Sequence, residues 1–477
     1  MSADKDVTIP PVTFFAKRRK FYPRAVSGVY RHRKTLLQTL CLAIYYLTPF
    51  LRWDRGPNAP DQAILIDMVH RRLYWFDIEI WPQEVYYLTG ILILAAVTLF
   101  AVTSLLGRVW CGYFCFQTVW TDLFIWVEKV MQGDSAVRQK LDASPWSLNK
   151  IWRKAGTHLG WLSIAFFTGG AYILYFNDAP TLMHNLFSGQ GLTTTQLAFV
   201  FGLTGSTYLM AGFAREQVCT YMCPYARFQS AMFDEDTLII GYDTMRGEPR
   251  GKHKKGDSWD NKGHCIDCTQ CVQVCPMGID IRDGLQIQCI ACGLCIDACD
   301  SVMEKMDLPK GLIRYDTERR MKEGGDQQEL IRHLIRPRTM WYGLILALAL
   351  SVMFYGIVSR TTLDLNVFHD RNPLFVRLSS GEIRNGYEIK ILNKTLDEVH
   401  YQLAIEELPN AQITVEGAGK QDIHDLIVPP DSVGHFRLYV TAPEHDHENN
   451  LINFVITDPK TATVAKRQSI FITRTED

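Results

Sequence analysis

Five stretches of the chain carry no charged residue and are dominated by apolar side chains: Thr35 to Leu51, Val85 to Gly107, Leu159 to Phe176, Leu197 to Ala214 and Thr339 to Ser359. At about 1.5 Å rise per residue even the shortest reaches roughly 26 Å as a helix, close to the thickness of a bilayer's hydrocarbon core. The pattern predicts five transmembrane helices. After the fifth, the period changes to two. Tyr387, Ile389 and Ile391 alternate with Glu388 and Lys390, and Phe436, Leu438 and Val440 alternate with Arg437 and Tyr439. Turn signals fall between them at Ser379-Ser380-Gly381 and Pro429-Pro430-Asp431. Short strands at this spacing predict a C-terminal β-sandwich. The chain therefore divides into an N-terminal tail (1–34), four spans (35–214), a long polar segment (215–338), a fifth span (339–359) and the sandwich (360–477).

Charge orients this arrangement. Lys and Arg number nine in residues 1–34, four in 52–84 against six acidic groups, seven in 107–158 and none in 177–196. The positive-inside rule then predicts a cytoplasmic N-terminus, and five spans carry the C-terminal domain to the opposite side. Lys17-Arg18-Arg19-Lys20 precede a first run that lacks a small-residue cleavage site, so this run reads as a retained anchor. The net charge of −1 gives no basis for a nucleic-acid partner. The partner implied by the pattern is the lipid bilayer.

The chemistry lies in the cysteines. Of 13, eight fall in Cys265-x2-Cys268-x2-Cys271-x3-Cys275-Pro276 and Cys289-x2-Cys292-x2-Cys295-x3-Cys299. This is the bacterial ferredoxin spacing, twice, and predicts two [4Fe–4S] clusters in a module at about 260–305. A C-x2-C-x2-C turn supplies three thiolates, and the local chain cannot reach round to supply the fourth. The expected ligands are Cys265, Cys268, Cys271 and Cys299 for one cluster, and Cys289, Cys292, Cys295 and Cys275 for the other. Zinc sites built from paired C-x2-C do not show this triple-plus-one rhythm. Two neighbouring clusters predict electron transfer. None of the cysteines lies in 52–84, 177–196 or 360–477, the segments assigned to the oxidising side, which agrees with the charge-based topology.

Four further cysteines form two C-x3-C pairs, Cys111 with Cys115 and Cys219 with Cys223, each just after an even-numbered span. Arg108 and Arg215 precede them, which suggests a weak internal repeat. On a helix, residues i and i+4 share a face, so each pair could chelate a metal, form a redox couple or pack. If the two halves meet, the four thiols could form one site suited to a soft ion such as Cu(I). Cys41, His158, the Met183-His184 pair and the His445/His447 pair have no spacing that favours a metal over packing or a solvated surface.

The segments Arg215-Glu216-Gln217-Val218-Cys219 through Cys223-Pro224-Tyr225-Ala226-Arg227-Phe228-Gln229, Val109-Trp110-Cys111-Gly112-Tyr113 with Gln117-Thr118-Val119-Trp120, and Gly311-Leu312-Ile313-Arg314-Tyr315 resemble the FixG/RdxA (CcoG) family of cytochrome oxidase accessory proteins, and more widely the NapH-type membrane polyferredoxins. The resemblance implies an immunoglobulin-like fold for the sandwich, on the periplasmic side of a bacterial inner membrane. It implies a cupric reductase that makes Cu(I) for assembly of a cbb3-type oxidase, with oxidase assembly factors or a copper chaperone as partners. Electrons would come from a quinol or a cytoplasmic reductant, with copper met at or near Cys111, Cys115, Cys219 and Cys223. The family shows C-x3-C-P; the second motif has Pro224, whereas the first has Phe116. Two other functions compete: a quinol-oxidising subunit of NapH type, and a non-redox scaffold for the oxidase.

Overall fold

The structure, a computed structural model, describes residues 20–57, 59–254, 256, 259–323, 336–361, 363–395, 397–416, 425–443 and 449–473. Lys17 to Arg19, His445 and His447 lie outside the described residues. The chain forms two compact units. One holds most of residues 1–350, and the other holds 351–477 with two short pieces of the 52–78 region.

Helices cover all five apolar runs, but three among the described residues are long and apolar enough to cross a membrane: Tyr86–Leu106, Thr194–Ala214 and Pro337–Val358. The last buries none of its residues, and Leu348, Phe354 and Tyr355 are all exposed. An apolar helix left bare on every side needs a non-aqueous surround, which a bilayer supplies. The expected spans at 35–51 and 159–176 lie on helices whose composition differs from these three. The first run lies in helix Val29–Leu47, which takes in Arg31, Arg33 and Lys34 and passes into a 3-10 turn at Thr48–Phe50. The second lies in Leu148–Leu174, whose first half carries Lys150, Arg153 and Lys154 and whose second half includes the small residues Gly169 and Gly170. Gly169 lets this helix approach the backbone of Thr194–Leu209, since a Cβ there would stand 2.8 Å from Val200 O.

Within the N-terminal tail, the chain from Lys20 onward is docked. The backbone N–H groups of Tyr30 and Arg31 donate to Asp297, Arg24 N–H donates to Gln273 O, and Ala25 N–H donates to Asp134. Lys20, Tyr22 and Lys154 all reach the Asp142 carboxylate. Acidic groups on two helices, Ser135–Ala143 and Leu294–Lys305, thus hold one strap of chain.

In the C-terminal unit two antiparallel sheets face each other. One runs in the order Gln412–Glu416, Ser432–Ala442, Ile383–Asn393, Leu363–His369, with Val376–Arg377 also paired to Ile383–Asn393. The other runs Leu426–Val428, Val399–Glu406, Asn449–Thr457, Val464–Ile472. The alternation read from sequence puts Tyr387, Ile389, Ile391, Leu438 and Val440 inside, each essentially fully buried. Tyr387 packs edge-on against Phe454 at 4.9 Å, and its hydroxyl donates to Ile470 O at 2.8 Å, so the one polar atom of that core ring is satisfied.

Two predictions follow from this packing. Phe454→Ala removes a fully buried ring and destabilises the sandwich by about 3–5 kcal/mol, read as lost amide protection in Ile383–Asn393. Burial alone would raise the Asp142 pKa, but hydrogen bonds from Lys154, Lys20 and Tyr22 outweigh it and hold the carboxyl below its usual range. A depressed carboxyl stabilises the fold above its unfolded pKa, about 4, and loses that contribution as pH falls through the folded value. Protection of residues 20–28, corrected for intrinsic exchange, is expected to fall progressively below about pH 4. Asp142→Asn removes that dependence.

Candidate metal centres

The segment after Arg250 has little regular structure, because its backbone is shaped around cysteines. Two turns are repeated. Asp267 and Ala291 lie two residues after Cys265 and Cys289, with φ of 55° and 50°. Thr269 and Gly293 lie two residues later again, also left-handed, and start the helices Gln270–Gln273 and Leu294–Lys305. Alternating left-handed residues curl each C-x2-C turn, so its cysteines line one cavity.

Two small cavities result. Cys265, Cys268, Cys271 and Cys299 line one, with Tyr242, Met303, Leu312 and Ile313. Cys275, Cys289, Cys292 and Cys295 line the other, with Cys271 also in its wall and Ile240, Ile279 and Ile281 around it. The antiparallel pair Leu238–Tyr242 and Ile313–Thr317 flanks both. The triple-plus-one grouping read from spacing is therefore the grouping that the fold brings together. Burial pushes the thiols of Cys271, Cys289 and Cys299 up to about 12 and that of Cys275 up to about 11. Backbone N–H groups of Met277, Gly278 and Ile279 aim at the Cys275 sulfur, and that of Ala291 aims at Cys289. Among the described residues no three His, Cys, Asp or Glu side chains converge tightly enough to hold a single metal ion. A largely apolar cavity lined by four thiols in triple-plus-one order, with N–H groups directed at sulfur, fits a [4Fe–4S] cluster.

The C-x3-C pairs depart from expectation in one respect. Neither pair lies on one continuous helix. Cys111 sits in the short helix Val109–Tyr113, and Cys115 is extended (φ −61°, ψ 126°) at the start of Phe116–Gln132. Cys219 sits in the turn Val218–Met222, and Cys223 is extended (φ −81°, ψ 112°) at the start of Pro224–Met232. The helix breaks at each second cysteine, which turns its sulfur away from an i, i+4 face. Phe116 in place of proline leaves this geometry unchanged. Proline at a first helical position pre-sets a conformation that other residues also adopt.

The repeat is closer than the sequence suggested, and its register is shifted by one residue. Cys115 N–H donates to Trp110 O at 3.0 Å, and Cys223 N–H donates to Val218 O at 2.8 Å, the same bond in both motifs. Four residues before each first cysteine the chain kinks, at Gly107 (φ 57°, ψ −125°) and at Arg215 (φ 42°, ψ −111°). Arg215 therefore corresponds to Gly107, not to Arg108. A non-glycine residue in that conformation is strained by about 1–3 kcal/mol. Glu128 holds it there, accepting from Arg215 Nη2 at 2.7 Å and Nη1 at 3.2 Å, while the guanidinium lies over Trp161.

The two motifs meet. Cys219 feels the charges of Cys115, Cys111 and Cys223, and Cys111 those of Cys115 and Cys223. Burial pushes Cys111 up to about 11 and Cys219 up to about 12. Both pack against the apolar cluster that surrounds the second cysteine cavity. Gly112 makes the closest approach: a Cβ there would stand 2.6 Å from Ile290 O and 3.1 Å from Cys292 Cα. On either side Arg108 donates to Ile287 O and Ala226 O, Tyr113 Oη donates to Cys292 O at 3.1 Å, and Tyr315 Oη donates to Ala291 O. Spacing marked Arg108 through the internal repeat, while Gly112, Tyr113 and Tyr315 showed only within the motif segments. Cys41 is partly buried and lies outside both thiol groups. His158 Nδ1 pairs with Tyr208 Oη at 2.9 Å inside an aromatic cage, a packing role.

Comparison with known proteins agrees with this geometry. Residues 214–318 match a family of 4Fe-4S dicluster domains, and residues 88–133 match a 4Fe-4S binding domain. Residues 353–474 match the Ig-like fold at the C-terminus of FixG, a putative oxidoreductase. The chain is 45% identical over 462 residues to nitrogen fixation protein FixG of Rhizobium meliloti, covering 90% of this chain and 88% of the relative. The chain belongs to the FixG family. Protein RdxA of Cereibacter sphaeroides is 44% identical over 435 residues, covering 90% of this chain and 91% of that one. A crystal structure of a FixG-related protein from Vibrio parahaemolyticus aligns with 24% of the chain and all of its own, at 23% identity and a TM-score of 0.22. As a FixG-family protein with 4Fe-4S domains, the chain is an iron–sulfur electron-transfer protein. Gly112→Ala is expected to push the first motif off the Ile290–Cys292 loop and cost about 1–3 kcal/mol. Thermal unfolding of the purified protein checks this, and an unchanged Tm would mean that the contact is loose.

Proposed function

We propose that this FixG-family chain is a cupric reductase of the bacterial inner membrane, supplying Cu(I) for assembly of a cbb3-type cytochrome oxidase. The observation that carries the reading is the joining of the second thiol cavity to the C-x3-C pairs. It offers a buried route from a cysteine-rich module to the end of two apolar helices. Clusters held by Cys265, Cys268, Cys271 and Cys299, and by Cys289, Cys292, Cys295 and Cys275, supply one-electron transfer when bound. The substrate Cu(II) takes up one electron and leaves as Cu(I), with a quinol or a cytoplasmic reductant as the electron source.

The chain's own residues support such a role in stated ways. Ile240, Ile281, Leu312 and Ile313 exclude water from the cavities. Arg108, next to Cys111, Cys219 and Cys289, offsets the negative charge that thiolates bring. Copper is met beside Cys111, Cys115, Cys219 and Cys223, at the end of the buried sulfur series. Five spans in the bilayer, with the N-terminus and clusters cytoplasmic and the immunoglobulin-like domain periplasmic, complete the reading. That domain would meet oxidase assembly factors or a copper chaperone. The topology rests on the loop charges.

The test uses anaerobically purified full-length protein, a chemical or quinol reductant, and a Cu(I)-specific chelator. Wild type is expected to turn over Cu(II), and Cys268→Ala to lose that activity and, in cells, oxidase assembly. Cluster reduction by quinol without copper turnover would favour the NapH-type function. Oxidase assembly that survives Cys268→Ala would favour a scaffold.

A further inference from the structure

We propose that Cys111, Cys115, Cys219 and Cys223 together hold a third iron–sulfur cluster. The four come from motifs 108 residues apart, yet the fold presents them as two copies of one unit. Each copy has a kink four residues before the first cysteine, a first cysteine on a short helical turn, and an extended second cysteine at the start of a helix. A pair of cysteines cannot complete the four thiolates of a cubane. Residues 88–133, which match a 4Fe-4S binding domain, contain only Cys111 and Cys115. The two missing ligands are supplied by the second copy, whose Cys219 and Cys223 lie in the same electrostatic neighbourhood.

The surroundings match those of the two ferredoxin-type cavities. All four thiols are free and at least partly buried. Cys111 and Cys219 border the same apolar cluster as Cys275, Cys289 and Cys292. The backbone N–H groups of Gln117 and Thr118 are directed at the Cys115 sulfur, as those of Met277, Gly278 and Ile279 are at Cys275. Gln229 is an independent pointer. Its side chain is fully buried, its Oε1 accepts from Cys111 Sγ at 3.4 Å, and its Nε2 makes no well-formed hydrogen bond among the described residues, though Tyr225 lies beside it. A sulfide or thiolate of a cluster would give that buried amide N–H a well-formed acceptor. Arg108 adds a cation beside the group, which lowers the cost of gathering four thiolates.

This inference stands on geometry and not on the copper reading. The test is iron and acid-labile sulfide per chain in full-length protein purified anaerobically in detergent, with Mössbauer spectra of the same samples. Wild type is expected to contain three cubanes' worth of both. Cys111→Ser/Cys219→Ser is expected to lose one third and keep the signals of the other two clusters. Should that variant fail to fold, the wild-type count alone decides. Two cubanes in intact wild type would overturn the proposal, as would a double variant with its full iron. Gln229→Leu keeps all four ligands and is expected to retain the iron while shifting the midpoint potential of the third signal. Copper turnover read on the same samples tests the copper function separately, since three clusters without turnover would uphold this proposal and overturn that one.

Discussion

The contact at Gly112 holds the thiol-rich end of the molecule together. A glycine in the short helix Val109–Tyr113 can touch the Ile290–Cys292 backbone only because it lacks a Cβ. That loop carries Cys289 and Cys292 and has no regular secondary structure, so its carbonyls need partners from elsewhere. Arg108, Tyr113 and Tyr315 donate to the carbonyls of Ile287, Ala291 and Cys292. Arg108 and Tyr113 from the helical half, with Tyr315 from the strand Ile313–Thr317, thus supply donors to the cluster loop. The C-x3-C pairs lie beside the second cavity for this reason.

Buried ions serve the same end. Asp297 caps the start of helix Val29–Leu47 by accepting from Tyr30 and Arg31 N–H, and Gly28 leaves room for its carboxylate. Lys34, almost wholly buried, pairs with Asp122 together with Arg31. Glu128 links Arg138 to Arg215. Breaking one partner of a buried pair commonly costs about 3–5 kcal/mol. These pairs fix the register of helices that apolar contacts alone would leave free to slide.

Much of this was legible in the sequence. The ferredoxin spacing gave the cysteine grouping because a C-x2-C-x2-C turn leaves little freedom, and the alternation around Tyr387 and Leu438 gave the inner faces of the sandwich. The span count was less legible: Arg31, Arg33 and Lys34 lie inside the first helix, and the third carries Lys150, Arg153 and Lys154 in its first half. Uncharged run length does not report where a helix begins. The C-x3-C pairs were misread as i, i+4 neighbours, since the break at Cys115 and Cys223 depends on long-range packing that spacing does not encode. The strap at Lys20 to Arg31 was invisible for a similar reason: its acidic partners are more than 100 residues away. The constant offset between the motifs was readable, but Arg108 and Arg215 drew attention to a register one residue off.

The cysteine sites form one closely packed series, and the EPR spectrum of the fully reduced full-length protein reads out that packing. Neighbouring cavities that share Cys271 in one wall predict spin–spin splitting between the two ferredoxin-type clusters, collapsing to an unsplit signal in Cys292→Ser. A wild-type spectrum that is the plain sum of magnetically isolated clusters would contradict the account.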